Sequence, residues 1–129
     1  MSIDYQRKKN NKYFLPKTLY RRVLAVIRDY DRVKGEVDNI LFGTPDKDIV
    51  SFGGIPGKPT EEAAIRLAQY ENDLEAVDKA LELIPQEYKK AVFRNIVYGE
   101  RFPDVAHYNT WLKWRQRFIY YCAQNLKLV

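Results

Sequence analysis

Two stretches of the chain place apolar residues in alternating steps of three and four, and this spacing restricts both stretches to helices. The first runs from about Lys17 to Leu41, and the second from Glu61 to Ile84. At 1.5 Å per residue each is expected to be roughly 37 Å long, and equal lengths favour an antiparallel helical hairpin. The apolar seam can bury itself within the hairpin, against a second copy of the chain or against the C-terminal helices. Its positions are Tyr20, Val23, Ile27, Tyr30, Val37 and Leu41, interrupted by Lys34, and then Ala63, Leu67, Tyr70, Leu74, Val77, Leu81 and Ile84.

Residues 42–59, which connect the two stretches, hold four of the six glycines and three of the six prolines. A connection this long is typical of a functional or a disordered segment. Its C-terminal end is only superficially similar to a phosphate-binding loop. Pro59 follows Lys58 where that loop requires Ser or Thr, and Phe52 occupies the position of the leading glycine. We therefore expect no nucleotide cofactor at this segment.

The C-terminal third of the chain has the order of elements of a helix-turn-helix unit. Pro85 precedes a helix predicted over residues 86–98, and Gly99 ends that helix in a left-handed conformation. A short helix is predicted to begin at Pro103. A polar turn then leads into a last helix, which the Thr110 hydroxyl is expected to cap.

These elements predict an all-α fold class. We expect a basic N-terminal arm over residues 1–16, a long antiparallel helical hairpin over 17–84 and a three-helix helix-turn-helix unit over 85–129. The arm ends in an apolar segment, Tyr13–Pro16, which is expected to dock on the body of the protein while the rest of the arm remains solvated or follows a nucleic-acid backbone.

The last helix is predicted to be amphipathic, with an apolar back and a front rich in hydrogen-bonding side chains. Such a front suits the major groove of DNA, where Arg is the best residue for bidentate bonding to guanine and Gln for adenine. The single cysteine lies on the back and is expected to be a buried, reduced, structural thiol. The predicted back consists of Trp111, Trp114, Phe118, Tyr121, Cys122 and Leu126, and the predicted front of Lys113, Arg115, Gln116, Arg117 and Tyr120.

Positive charge is concentrated at the two ends of the chain. Residues 1–17 carry five Lys and Arg against one acid, and residues 86–129 carry eight against three, whereas residues 60–85 carry two against seven. Cations placed near a polyanion gain affinity by releasing counterions. The two ends are therefore the candidate nucleic-acid surfaces, and the acidic segment between them is not.

Composition disfavours several other functions. One cysteine and one histidine provide no ligand set for zinc, and we expect neither a metal nor another cofactor. No window approaches the ~18 apolar residues of a membrane span, and the N-terminus lacks the apolar run of a secretory signal, so we expect a cytoplasmic protein. No nucleophile–base pair is recognisable, and we expect that the chain is not an enzyme.

Two sets of residues carry a resemblance to known families. The segment Ile84-Pro85-Gln86-Glu87-Tyr88, followed by an apolar helix, Gly99 and a terminal basic helix, is similar to the fourth region of bacterial sigma factors. The run from Thr110 to Ile119, with the later Ala123 and Leu126-Lys127-Leu128, resembles the C-terminal signature of phage transcriptional regulators of the RinA and ArpU type. The match covers residues 17–129 in outline and 84–128 in motif. One departure is a shortened helix before the turn, where Ala106 is followed by His107-Tyr108-Asn109.

The resemblance implies a small, sequence-specific regulator, in the usual case an activator, of phage or prophage genes. Its implied partner is double-stranded DNA, with the last helix in the major groove and host RNA polymerase as a possible second partner. A homodimer or higher homo-oligomer is expected, because one short helix-turn-helix makes few phosphate contacts. The implied DNA-binding positions are Thr110, Lys113, Arg115, Gln116 and Arg117, with Tyr120, Lys89, Lys90 and Arg94 as candidate phosphate contacts and Trp114 and Phe118 as packing positions.

Two other functions remain open at the level of sequence. The hairpin is also compatible with a protein-interaction module that docks on RNA polymerase or on a phage assembly, with the basic end as a solvated surface. A small terminase subunit likewise joins a helix-turn-helix to an oligomerising helical hairpin, and a ring-sized assembly would favour it.

Overall fold

The structure, a computed structural model, describes residue 6, residues 11–42 and residues 61–129. Every regular element within these residues is helical, which confirms the all-α prediction for this part of the chain. None of these helices is both long and apolar enough to cross a membrane. The Gly- and Pro-rich connection and most of the N-terminal arm lie outside the described residues. The helices are α1 (Lys17–Arg28), α2 (Tyr30–Phe42), α3 (Glu61–Glu82), α4 (Gln86–Tyr98) and α5 (Tyr108–Asn125).

The prediction of one continuous helix from Lys17 to Leu41 is wrong, because the chain breaks at Asp29 into α1 and α2. The Asp29 N–H still bonds to the carbonyl of Ala25, but its carboxylate accepts two bonds from Arg32, at 2.7 and 2.6 Å. An i,i+3 pair of this kind is compatible with a helix, and the Val33 N–H bonds to the Asp29 carbonyl at 2.9 Å, so the interruption is limited to Asp29. The hydrogen bonds from the Arg32 side chain hold the pKa of the Asp29 carboxyl below its usual value.

The break leaves α2, and not α1, as the partner of α3 in an antiparallel hairpin. Tyr30 at the start of α2 donates a 2.7 Å hydrogen bond to Asp78 near the end of α3. Burial and this bond to a carboxylate raise the pKa of Tyr30 to about 12. The predicted pairing of two equal helices of about 25 residues is therefore wrong, since α2 has 13 residues and α3 has 22.

The freed helix α1 packs with α3, α4 and α5 around one hydrophobic core, in which α5 is central because it contacts the other three. The predicted hairpin and the predicted C-terminal unit thus share a core. Leu15, from the segment before α1, is also buried, and the Gln6 side chain bonds both to its N–H and to its carbonyl. The fully buried members include Tyr20, Val23, Leu24, Ile27, Val77, Val92, Trp111, Phe118, Ile119 and Cys122.

The helix α4 matches its prediction, with Val92 and Ile96 buried and Gly99 left-handed at φ 70°. The short helix predicted to begin at Pro103 is absent, because residues 103–106 form only a turn. Nine residues separate α4 from α5, and stacking of Phe102 on Trp111, with centroids 5.2 Å apart, fixes the middle of this connection. The three-helix form of the helix-turn-helix unit is therefore not what the chain adopts.

The last helix begins three residues earlier than predicted, at Tyr108, and its cap is His107 instead of Thr110. The His107 Nδ1 accepts from the Asn109 N–H at 3.1 Å, which satisfies one of the free donors of the first turn. The predicted cap, Thr110, lies inside the first turn, where its N–H bonds to the His107 carbonyl at 2.9 Å.

Candidate nucleic-acid interface

The face of α5 that is buried differs from the face that the sequence predicts, as if the helix were rotated about its axis. Its buried face includes Arg115 and Gln116, which are 7% and 8% exposed, together with Ile119. Trp114 and Tyr121, predicted to be core residues, are only partly buried. The prediction that Arg115 and Gln116 belong to an exposed front is therefore wrong, because α5 is packed on three sides by other helices and its open face lies elsewhere.

Arg115 is held inside the core by neutral acceptors. Its Nη1 donates to the Tyr20 hydroxyl at 2.7 Å, and its Nε donates to the Asn95 Oδ1 at 3.1 Å. These bonds join α5 to α1 and to α4. The arrangement keeps the guanidinium away from any ligand on the surface.

Gln116 connects α5 to the segment that precedes α1. Its Oε1 accepts from the Asn11 Nδ2 at 2.9 Å, and the Asn11 Oδ1 accepts in turn from the Tyr13 N–H at 3.0 Å. The prediction that the apolar end of the arm docks on the body is confirmed by this contact and by the buried Leu15. Gln116 is thus occupied in holding this segment in place.

The open side of α5 carries Asn109, Lys113, Arg117, Tyr120 and Gln124 at steps of three and four. Asn109, Lys113 and Gln124 are exposed, whereas Arg117 and Tyr120 are partly buried. No Asp or Glu occurs anywhere in the helix. This side therefore combines positive charge with hydrogen-bond donors and no opposing acid.

Three cations and two aromatic rings alternate along this side, and we call these five residues the cation–aromatic row. Lys12 lies 5.2 Å from the centroid of the Tyr13 ring, and the Arg117 guanidinium lies 4.7 Å from the same ring. Arg117 is also 5.1 Å from the centroid of Trp114, over which Lys113 lies at 4.7 Å. Within the described residues none of the three cations forms an ion pair, so their charge is open to an external anion.

Neighbouring aromatic rings pack against the two rings of the row. Tyr88, in the first turn of α4, stacks on Trp114 with centroids 6.0 Å apart and meets Trp111 edge-on at 5.1 Å. Tyr120 meets Tyr13 edge-on at 5.3 Å. Aromatic contacts of this kind fix ring orientations, so the cations above them lie on a defined surface.

The charges of the row act on its own tyrosine, Tyr13. Desolvation raises the pKa of Tyr13, but the hydrogen bond with Tyr121 and the charges of Arg117 and Lys12 outweigh it, and the net shift is downward. Burial and the same bond raise the pKa of Tyr121. The charges of Arg117 and Lys12 thus contribute, after the bond with Tyr121, to the lower pKa of Tyr13.

The remaining predicted contacts lie on α4 and divide into two groups. Lys90 is exposed and Lys89 is partly buried, and both directly follow Tyr88, which stacks on the row. Arg94 instead pairs with Glu100, with an N–O distance of 2.5 Å, and lies over Tyr98 at 5.2 Å. Lys90 is two residues from Tyr88, or about 200° round the helix, and lies beside Arg94 and Glu100 and not beside the row. The charge of Arg94 is already compensated by Glu100.

A separate cleft of about 560 Å³ lies beside the connection between α4 and α5. Glu100, Arg101 and Asp104 line it together with the rings of Phe102 and Tyr108. Its mixed charge makes it a poorer surface for a polyanion than the row. Among the described residues, no group of His, Cys, Asp and Glu side chains is arranged to hold a metal ion.

Sequence reasoning placed Lys113, Arg117 and Tyr120 correctly on the open side of α5 but missed Lys12 and Tyr13 as their neighbours. In the sequence, Lys12 and Tyr13 lie where the basic arm meets its apolar end, and this position was the available signal that both contact the body of the protein. Their contact with α5 spans about a hundred residues of sequence. It follows from the Asn11–Gln116 bond, which no local sequence pattern predicts.

Comparison of the chain with protein-family models, with curated proteins and with solved structures found no match. The resemblance to regulators of the RinA and ArpU type stays a prediction.

Proposed function

We propose that this chain is a double-stranded DNA-binding regulator, of the phage or prophage kind that the sequence resemblance implies, and that it binds DNA through the open side of α5. The observation that carries the proposal is the cation–aromatic row. It places three cations without ionic partners among the described residues on a surface whose central helix contains no acid.

The charge distribution supports this orientation. Exposed acids lie mainly on α3, at Glu61, Glu62, Glu71, Glu75 and Glu82, while Lys113 and Lys12 lie at the row. Because a DNA duplex is a dense line of phosphates, it approaches the basic side and is repelled by the acidic one. The row therefore presents a favourable surface to a duplex.

Contacts with bases are expected to come from the N-terminal turns of α5. In helix-turn-helix proteins these turns reach the base edges while flanking cations bond to phosphates. Asn109 and Lys113 are exposed there, whereas Arg115 and Gln116, the residue types best suited to guanine and adenine, are inside the protein. Sequence discrimination therefore depends on Asn109 and Lys113 in this proposal.

The test is a binding titration of a fluorescently labelled duplex at several salt concentrations. Lys113→Ala/Arg117→Ala removes two charges from the row, and Lys34→Ala/Arg66→Ala removes two exposed charges from α2 and α3 as a matched control. Each phosphate contact contributes about 0.9 to the slope of log K against log salt, so the row variant is expected to lose about two units of slope. The control is expected to keep the wild-type slope.

Equal losses in both variants would show that net charge alone, and not the row, governs binding. Circular dichroism on all three proteins excludes unfolding as the cause of a loss. Genomic fragments and a shuffled duplex, titrated in parallel, separate sequence-specific binding from general attraction to phosphates.

A second candidate function, a protein-interaction module, is favoured by exposed apolar residues on the hairpin. Phe42 at the end of α2 is 79% exposed, and Ile65 near the start of α3 is 57% exposed. Large apolar side chains at such positions are typical of contact surfaces. Light scattering of the wild type and of Phe42→Ser/Ile65→Ser tests this function. A change in assembly size in the variant supports it, and a ring-sized wild-type assembly favours a terminase subunit.

A further inference from the structure

Arg117 lies between two rings that hold it without using its hydrogen-bond donors. Its guanidinium is 4.7 Å from the centroid of Tyr13 and 5.1 Å from that of Trp114. Cation–π contacts engage the face of a guanidinium and leave its N–H groups for planar acceptors such as phosphate. The two rings therefore fix Arg117 and leave its terminal Nη groups for an acceptor, since its Nε is buried.

No acceptor within the described residues satisfies Arg117. It forms no ion pair there, and its buried Nε has no hydrogen-bond partner. Arginine donors that are neither paired nor fully solvated favour an anionic ligand, because a phosphate restores the bonds lost to water. The contrast is Arg94, which also lies over a tyrosine ring but pairs with Glu100.

Tyr13, one of the two rings, belongs to the segment before α1. The contacts of this segment hold Tyr13 against α5. Its N–H donates to Asn11, which donates to Gln116, and Leu15 two residues later is buried in the core. The ring therefore keeps its place over Arg117 as long as this segment is docked. An arginine ordered in advance loses less conformational entropy when it binds a phosphate.

From these contacts we infer that Tyr13 is a positioning residue of the DNA site, which holds the Arg117 guanidinium in place for one phosphate of the duplex backbone. This inference rests on the proposed function. It makes the N-terminal segment part of the interface, although Tyr13 itself carries no charge.

The test compares Tyr13→Ala with Tyr13→Phe, which keeps the ring, in the full chain and with the same labelled duplex. Tyr13→Ala is expected to lower affinity about 3- to 10-fold, the effect of ordering one long side chain, and to reduce the salt slope by up to about one unit. Tyr13→Phe is expected to restore most of both. A purely structural role for Tyr13 would not change a salt slope, since no charge is removed.

A double-mutant cycle completes the test. Tyr13→Ala added to Arg117→Ala is expected to cause no further loss, because the ring acts only through the arginine. Tyr98→Ala, which removes the ring beneath the already paired Arg94, serves as the matched control and is expected to leave affinity unchanged.

The outcomes separate this inference from the proposed function. A wild type that binds no duplex overturns the proposed function itself. A wild type that binds, and that weakens with Arg117→Ala but not with Tyr13→Ala, overturns the positioning role alone. Additive losses in the double variant would also overturn it, since they would show that Tyr13 acts independently of Arg117.

Discussion

Arg115 donates a 2.7 Å hydrogen bond to the hydroxyl of Tyr20, although the two residues lie 95 positions apart and both are buried. The bond joins the last helix to the first, and it places a guanidinium in the core with neutral acceptors, Tyr20 and Asn95. A buried charge that depends on few acceptors makes each acceptor important. This relationship explains why α5 presents only part of its charge to the outside.

Removal of the Tyr20 hydroxyl is expected to destabilise the protein through Arg115. Tyr20→Phe should lower the free energy of unfolding by about 1–3 kcal/mol, because a buried donor loses its acceptor. In an Arg115→Met background the same substitution should have a smaller effect. Urea unfolding of the four proteins of this cycle measures the difference, and an equal effect in both backgrounds would contradict the coupling.

The same Arg115→Met variant distinguishes a structural arginine from a DNA reader. Because its guanidinium lies inside the protein, the variant should keep the affinity of the wild type for duplex DNA, provided that circular dichroism shows it folded. A selective loss of binding to one DNA fragment would show instead that Arg115 leaves the core to contact bases.

Two glycines are expected to respond in opposite directions to alanine. Gly99 ends α4 at φ 70°, so Gly99→Ala should destabilise the protein by roughly 1 kcal/mol even though the added Cβ meets no atom within 4 Å. Gly35 lies inside α2 with equally open space, and Gly35→Ala should stabilise it by about 0.5–1 kcal/mol. Thermal unfolding of both variants measures this, and a shared sign would be inconsistent with the fold.

The buried thiol of Cys122 predicts a pH dependence of stability. Burial raises the pKa of the Cys122 thiol well above its usual value, so the folded protein keeps a proton that the unfolded chain loses. This contribution is complete below about pH 9 and declines above it, by up to about 1.4 kcal/mol per pH unit. Unfolding curves of wild type and Cys122→Ala across this range measure the difference, and the native thiol should react with a thiol reagent only after unfolding.

Local patterns in the sequence predicted the elements that local physics controls. The bounds of α4 and the left-handed Gly99 follow from Pro85 and from the needs of a helix end, and both are confirmed. The seam of α3 is also confirmed, since its members from Ala63 to Ile84 are all at least partly buried. The start of α3 at Glu61, with acids in its first turn, agrees with the helix dipole.

Features that depend on distant contacts were not predictable in this way. The rotation of α5 arises because α1 and the segment around Leu15 pack on it, which draws Arg115 and Gln116 inward. Periodicity alone assigns charged residues to the outside, so it cannot anticipate a buried arginine whose partners come from α1 and α4. The cation–aromatic row was missed in part for the same reason.

The most direct measurement of the central claim is a nuclear magnetic resonance titration with a duplex, because the two tryptophans report on different regions. Trp114 belongs to the row, whereas Trp111 is buried in the core. On addition of DNA, the indole N–H signal of Trp114 should shift strongly, together with the amides of Lys113 and Arg117, while that of Trp111 should change little. Shifts confined to the hairpin around Phe42 and Ile65, or the absence of any shift at Trp114, would show that DNA does not bind at the row.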